Sequence, residues 1–228
     1  MTGSLVYLPL FLKATGTTIW LSWLALLIGA VGGTLIALLR TSRLWPLRIV
    51  ALLYTEAFRS VPILIVLFFA YFGAPVMLGF DVSPFVAATF ALALHASANM
   101  SEVVRAGIES VGRGQWEAAL ASGMRMREVM RHIVAPQALR VILPPSVGVY
   151  ITVLKESSLA SIIGYFELTR TGLLVRETQG GGFGPLLALA AIYFILSYGI
   201  SLCGAALERH YAVGGATAGT DAVVGGMA

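Results

Sequence analysis

The 228-residue sequence predicts an all-α, polytopic membrane protein with about five transmembrane helices. Composition is the first sign. Hydrophobic residues make up 58% and charged residues only 11%, and mean hydropathy is +0.87. A water-soluble domain covers its surface with about a quarter charged residues, so lipid must replace water over much of this chain. The second sign is a series of weakly charged runs, each near the roughly 20 residues that cross about 30 Å of hydrocarbon. The third is the one-sided placement of the basic residues between them.

The runs set the elements in order. Residues 1–13 form a short leading segment, with no basic start and no small-residue cleavage site to mark a removable signal peptide. The first span, about 18–39, carries no charge and holds Gly29 and Gly33 four apart, a spacing that lets two helices approach closely. Packing within one bundle is expected there rather than a dimer seam. The next stretch, Leu44 to Arg59, is apolar but punctuated by Arg48, Glu56 and Arg59. A span through it would place charge in lipid, so it is read as an elbow along the interface, with Trp45 and Tyr54 at headgroup depth. A Glu56–Arg59 ion pair is expected on its face. The second span, about 60–80, then starts at Ser60 as N-cap with Pro62 in its first turn.

The third span covers about 84–104. A long segment, 105–140, follows before the fourth span, about 141–165, which opens near Pro144-Pro145 and is interrupted by Lys155 and Glu156. The fifth covers about 185–207. Residues 210–228, rich in Gly, Ala, Thr and Val, show no periodicity and read as a disordered tail.

Eleven arginines, at 40, 43, 48, 59, 105, 113, 125, 127, 131, 140 and 209, fall on one side of this topology; Lys13, Arg170 and Arg176 fall on the other. The positive-inside bias places the N-terminus outside and the C-terminus in the cytoplasm. The net charge of +4 is thereby an orientation signal and not a nucleic-acid footprint.

Segment 105–140 is the most informative. Gly114 is expected to cap a short helix, with Glu117 in its first turn facing free N–H groups, and Gly123 suits a left-handed stop. A basic helix, Met124 to about Ile133, is expected next and to end before Pro136. Ala118, Ala119 and Ala121 thin one side of the first helix, which suits a groove on another protein or an ordinary interfacial packing.

These residues resemble a known family. Glu117-Ala118-Ala119 with Gly123, Ile133 and Pro136 is similar to the EAA loop of ABC importer permeases. Glu56-Ala57-Phe58-Arg59-Ser60-Val61-Pro62 resembles the E-x-F-R-x-x-P element of the polar amino acid permeases. Glu102 to Ile108, Pro136-Gln137-Ala138, Leu143-Pro144-Pro145 and Lys155 to Leu159 continue the likeness in order. The family commonly has tyrosine where Asn99 stands and glutamine where Val66 stands.

The resemblance implies a type I ABC importer permease fold over 14–209, in a bacterial inner membrane, carrying a polar amino acid. It further implies a separate ATPase in two copies, a second identical or homologous permease subunit, and an extracytoplasmic solute-binding protein. Gly114, Gln115, Glu117, Ala118, Ala119 and Gly123 would couple to the ATPase.

An amino acid substrate brings a carboxylate and an ammonium. Lys155 is the candidate for the carboxylate; Glu156, Ser157, Ser158, Asn99 and Glu102 are the candidate polar partners at membrane depth. Pairing of Lys155 with Glu156 to neutralise buried charge is the alternative. On the far side, Glu167, Arg170, Arg176 and Glu177 are candidates to meet the binding protein.

Other chemistries find little support. No G-x-x-x-x-G-K-[ST] loop occurs, so ATP hydrolysis falls to a partner, and no cofactor is expected. The three histidines, His95, His132 and His210, lack metal-ligand spacing, and lone Cys203 offers no cluster. His95 with Ser97 and Ser101 raises an intramembrane serine protease, but no nucleophile elbow accompanies them. A gradient-driven carrier would usually show more spans or an internal repeat.

Overall fold

The computed structural model describes residues 7–42 and 44–212. Arg43, most of the leading segment and most of the tail therefore lie outside the described residues, including the disorder expected at 213–228. Within the described residues all regular structure is helical.

Helix α1, Leu8–Arg40, has 33 residues, about 50 Å at a rise of ~1.5 Å per residue. It begins well before the expected Thr18, because Pro9 sits at the first helical positions, where a missing N–H costs nothing. Lys13 is thereby helical rather than part of a leading loop. The close approach predicted at Gly29 and Gly33 is made inside the chain, onto α5 (Pro84–Glu109). A methyl group added at Gly29 would lie 2.5 Å from Ala96 Cβ, and one at Gly33 2.6 Å from the Ser97 carbonyl oxygen.

Helix α2, Trp45–Ser60, is the expected elbow, with only Ala51 and Thr55 buried along it. Ser60 ends this helix rather than capping the next. Pro62 forces Val61 into extended backbone (φ −85°, ψ 129°) and cannot donate its own N–H. The chain turns by 101° before Ile63. The next element is then helical from Ile63–Phe68 (α3) through a π turn, Phe69–Gly73, to Ala74–Leu78 (α4), and stops at Gly79 with φ +77°.

Helix α5 is the packed centre. Fourteen of its residues are buried, and α1, α2, α3 and α8 (Ala135–Glu156) all pack on it. A helix wrapped in protein needs no continuous apolar surface, which is why it tolerates His95, Asn99 and Glu102.

Helix α6, Arg113–Ala121, starts from Gly112, not Gly114, so Glu117 falls beyond the first turn. Gly123 takes the left-handed stop as expected (φ +82°). The basic helix that follows does not end before Pro136. Short α7, Met126–Glu128, runs through a π turn, Val129–Val134, directly into α8. Pro136 follows the π turn at the start of α8, and the change of register there accommodates its missing N–H. The fourth span thus belongs to one rod, Met126–Ile163, whose last turns, Ser157–Ile163, tighten into a 3₁₀ helix. Gly164 ends it at φ +83°.

Helix α9, Leu168–Thr178, lies between the fourth and fifth expected spans, a stretch assigned no helix from the sequence. Its start is made by Glu167, whose carboxylate accepts the N–H groups of Thr169 and Arg170, each at 2.8 Å. Helix α10, Gly184–Ala212, closes the bundle.

Taken alone, α1, the 126–163 rod and α10 are each long and apolar enough to cross a membrane; α2 with 63–77 adds a fourth if it is one broken span. Helix α5 makes the fifth rod of the bundle by length. Three apolar cores fill it, one of them joining Phe11 and Ala14 of α1 to Leu168 and Val175 of α9. A second, around Leu21, Ala25, Leu67 and Ala88, sits toward the α9 end. The third, around Met100, Val104, Val129 and Val134, sits toward the α6 end and takes in Ala119.

Candidate functional site

One cavity in this bundle differs from its other grooves, whose walls are almost entirely apolar. It has a volume of about 360 Å³ and opens between α5 and α8. Helix α5 contributes His95, Asn99, Glu102 and Val103. The first three are spaced four and three apart and so share a stripe. Helix α8 contributes Gly148, Val149 and Thr152, and Arg59 enters from the end of α2.

Charge is arranged around this cavity in two groups. The first centres on Glu102, whose Oε1 meets Arg40 of α1 and lies 3.7 Å from Arg59 Nη1 of α2. Its Oε2 accepts from Arg105 Nη2 at 2.7 Å and Nε at 3.1 Å. Arg105 also reaches Glu109 at 2.5 Å. One carboxylate therefore ties three helices, and its own charge is fully answered. The expected Glu56–Arg59 pair is not formed among the described residues; Arg59 turns to Glu102 instead, because the end of α2 packs over α5.

The second group is sparser. Glu156 Oε1 lies 3.3 Å from His95 Nε2. Its Oε2 is buried and has no hydrogen-bond partner among the described residues. Asn99 donates from Nδ2 to the His95 carbonyl, 3.1 Å away, leaving its side-chain oxygen unused.

The remaining candidates fall as follows. Lys155 is exposed and makes no ion pair among the described residues, so the Lys155–Glu156 pairing is absent. It continues the exposed stripe Val141, Pro145, Gly148, Thr152 of α8. Ser157 is fully buried and its hydroxyl donates to the Leu154 carbonyl at 2.7 Å, so it points away from any ligand. Ser158 is half-buried and donates to the Lys155 carbonyl at 2.7 Å. His95 was legible as polar in a span; its role as Glu156's partner was not, because 61 positions of sequence separate them.

At the α6 end, Ala119 is buried against Val129 and Val134, with Trp116 half-buried beside it. The two are three apart and form the only inward stripe of the helix. Gly114, Gln115, Glu117 and Ala118 are exposed, as are Leu120 and Gly123. A nine-residue helix held by two side chains is presented, not packed away.

At the α9 end, Glu167 is completely buried and is not available to another protein. Besides capping α9 it accepts from Tyr193 Oη of α10 at 3.0 Å. Thr18 of α1 accepts the Leu168 N–H at 3.0 Å. Burial pushes the Glu167 carboxyl above its ordinary pKa, against the pull of those N–H and O–H donors.

A polytopic helical chain with a charged cavity beside its most packed helix, and a presented helix at one end, is a membrane permease in form. Over residues 25–213 it matches the family described as binding-protein-dependent transport system inner membrane component, and the chain belongs to that family. It is 32% identical over 208 residues to the arginine transport system permease protein ArtQ of Bacillus subtilis (strain 168), covering 91% of this chain and 95% of that one. It is 35% identical over 198 residues to a putative glutamine transport system permease protein GlnP of Rickettsia typhi, covering 87% and 91%. Among solved structures, a crystal structure of an amino acid ABC transporter with histidines superposes with a TM-score of 0.85 at 36% identity, covering 92% of this chain and 97% of that one. An inward-facing MetNI methionine ABC transporter shares the fold, with a TM-score of 0.77 at 20% identity over 92% and 99%. This chain is the permease component of an ABC amino acid importer, a transporter subunit and not an enzyme.

Proposed function

We propose that this permease carries a polar amino acid, delivered by an extracytoplasmic binding protein, through a path lined by α5 and α8. The observation that carries the proposal is the polar cavity: Arg59, His95, Asn99 and Thr152 gathered in a bundle whose other grooves are apolar. Lys155 takes the substrate carboxylate, and Glu156 and Asn99 accept from its ammonium. Glu102 belongs to the wall, where Arg40 and Arg105 already answer its charge. Relatives described as arginine and glutamine permeases agree with a polar amino acid. One chain forms half of the path, and a second permease subunit, a copy or a homologue, supplies the rest.

Energy comes from a separate ATPase, two copies per complex. Its surface receives α6 through Gln115, Glu117 and Ala118, on the exposed side of a helix whose Ala119 is anchored in the core that also holds Val129, Val134 and Met100. Movement of α6 then reaches α8 and α5 through packed side chains rather than a slack loop. This orientation puts the α6 end and the C-terminus in the cytoplasm and the α9 end outside, where Arg170, Arg176 and Glu177 face the binding protein.

Uptake into proteoliposomes, with the binding protein outside and the ATPase inside, tests the reading. ATP-dependent entry of a polar amino acid is expected. Lys155→Ala is expected to abolish uptake while the ATPase still co-purifies, and Glu117→Arg to separate ATP hydrolysis from uptake. Unchanged transport by Lys155→Ala would remove it from the site, and normal uptake with normal co-purification in Glu117→Arg would remove α6 from the coupling.

A further inference from the structure

Phe58 lies at the end of α2, and the partner its carbonyl would ordinarily find is the N–H four residues on. That residue is Pro62, which has none. The carbonyl is instead met by His95 Nδ1, from the middle of α5, at 3.1 Å. A carbonyl only accepts, so Nδ1 carries the hydrogen. This leaves Nε2 to face Glu156 Oε1 at 3.3 Å. Two lone pairs would repel across that distance, so a proton belongs to the pair, on the imidazole or on the carboxyl. The other oxygen of Glu156, Oε2, stays buried without a partner among the described residues, which is costly for a carboxylate unless a cationic group arrives.

The same ring thus holds two things. Through Nε2 it holds the carboxylate assigned above to the substrate's ammonium. Through Nδ1 it holds the last turn of α2, whose next residue is Arg59, the cation that enters the cavity beside His95. We propose that His95 is the positioning residue of the transport site, holding the acceptor Glu156 for the substrate's ammonium and setting the last turn of α2, with Arg59, beside it. It also links the 101° break between α2 and α3 to that acceptor. The proposal rests on the transport-site reading of Glu156.

Gln and Asn separate the two duties, because a glutamine amide nitrogen falls near Nε2 of histidine and an asparagine amide nitrogen near Nδ1. The test is equilibrium binding of each of the twenty radiolabelled amino acids to the detergent-solubilised permease–ATPase complex, without binding protein. For the amino acid bound best, His95→Leu is expected to weaken binding about ten-fold or more, and His95→Gln to restore it to within about three-fold. His95→Asn is expected to fall between them. Size-exclusion of each variant complex shows assembly, and the Gln and Asn variants carry the test if His95→Leu fails to assemble. Equal binding by all assembled variants, or equal loss in Gln and Asn, overturns the role of His95. Unweakened binding by Glu156→Gln, or no binding by the unaltered complex, overturns the site itself; loss in Glu156→Gln with normal His95 variants overturns this inference alone.

Discussion

Glu167 and Glu156 both leave water, and their surroundings differ in kind. Glu167 is fully buried and each oxygen is met, by the N–H groups of Thr169 and Arg170 and by Tyr193 Oη. It closes the α9 end by tying α9 to α10, while Thr18 ties α1 to the same turn. Glu156, in contrast, has one oxygen against His95 and one with no partner among the described residues. A saturated buried carboxylate is a structural fastening; a half-met one suits the acceptor role proposed for Glu156. Exposure separates them only in part, with none of Glu167 and about a fifth of the Glu156 side chain reaching solvent. Counting donors completes the separation.

The largest expected effect breaks the fastening. Glu167→Ala strands two backbone N–H groups and leaves the Tyr193 hydroxyl with Thr169 Oγ1 alone. At roughly 1–3 kcal/mol per buried unsatisfied group, the loss is expected to total about 2–6 kcal/mol, read as a lowered thermal midpoint of the purified complex. A midpoint unchanged within error would show that the knot contributes little.

A smaller effect is expected at Gly33, where the bundle is tightest. Gly33→Ala forces a methyl against the Ser97 carbonyl, a backbone atom that cannot swing aside. Overpacking of this kind costs about 1–3 kcal/mol, measured by the same melt, and Gly16→Ala, with open space around it, is the control.

Glu156→Gln sharpens the contrast from the other side. Substrate binding is expected to weaken about ten-fold, roughly 1.4 kcal/mol, while the melt moves far less than for Glu167→Ala. If the two substitutions shift stability equally, the distinction between the carboxylates is lost.

The smallest effect compares neighbours in the 3₁₀ segment. Ser157→Ala and Ser158→Ala each remove a hydroxyl bonded to a carbonyl three residues back. Only Ser158 keeps a face toward the surface, so uptake is expected to fall about two-fold for Ser158→Ala and to stay level for Ser157→Ala, within ~0.5 kcal/mol in stability. The reverse order would place Ser157 in the path.

Much of this architecture was legible in one dimension. Solvent preference is additive over residues, so the uncharged runs at 18–39 and 185–207 marked α1 and α10, and Arg48, Glu56 and Arg59 marked the elbow. Gly123 announced its left-handed stop because only backbone sterics decide it. Element ends were less legible. Lys13 did not stop α1, and Pro136 did not stop the rod through 126–163, since a π turn absorbs the change of register there. Helix α9 was missed because it falls between the apolar runs and its local capping carboxylate, Glu167, reads in sequence as a contact for the binding protein.

The sequence by itself determined the solvent, the uncharged rods α1 and α10, the left-handed stop at Gly123, and the motifs that mark the family. The tertiary structure alone decided which charge meets which. Arg59 could face Glu56 or Glu102, and Lys155 or His95 could face Glu156. Those choices turn on helix rotation and on contacts between segments 40 to 60 residues apart, which no local spacing encodes. Charge type and hydropathy are properties of a residue, whereas a partner within 3–4 Å is a property of the packed bundle.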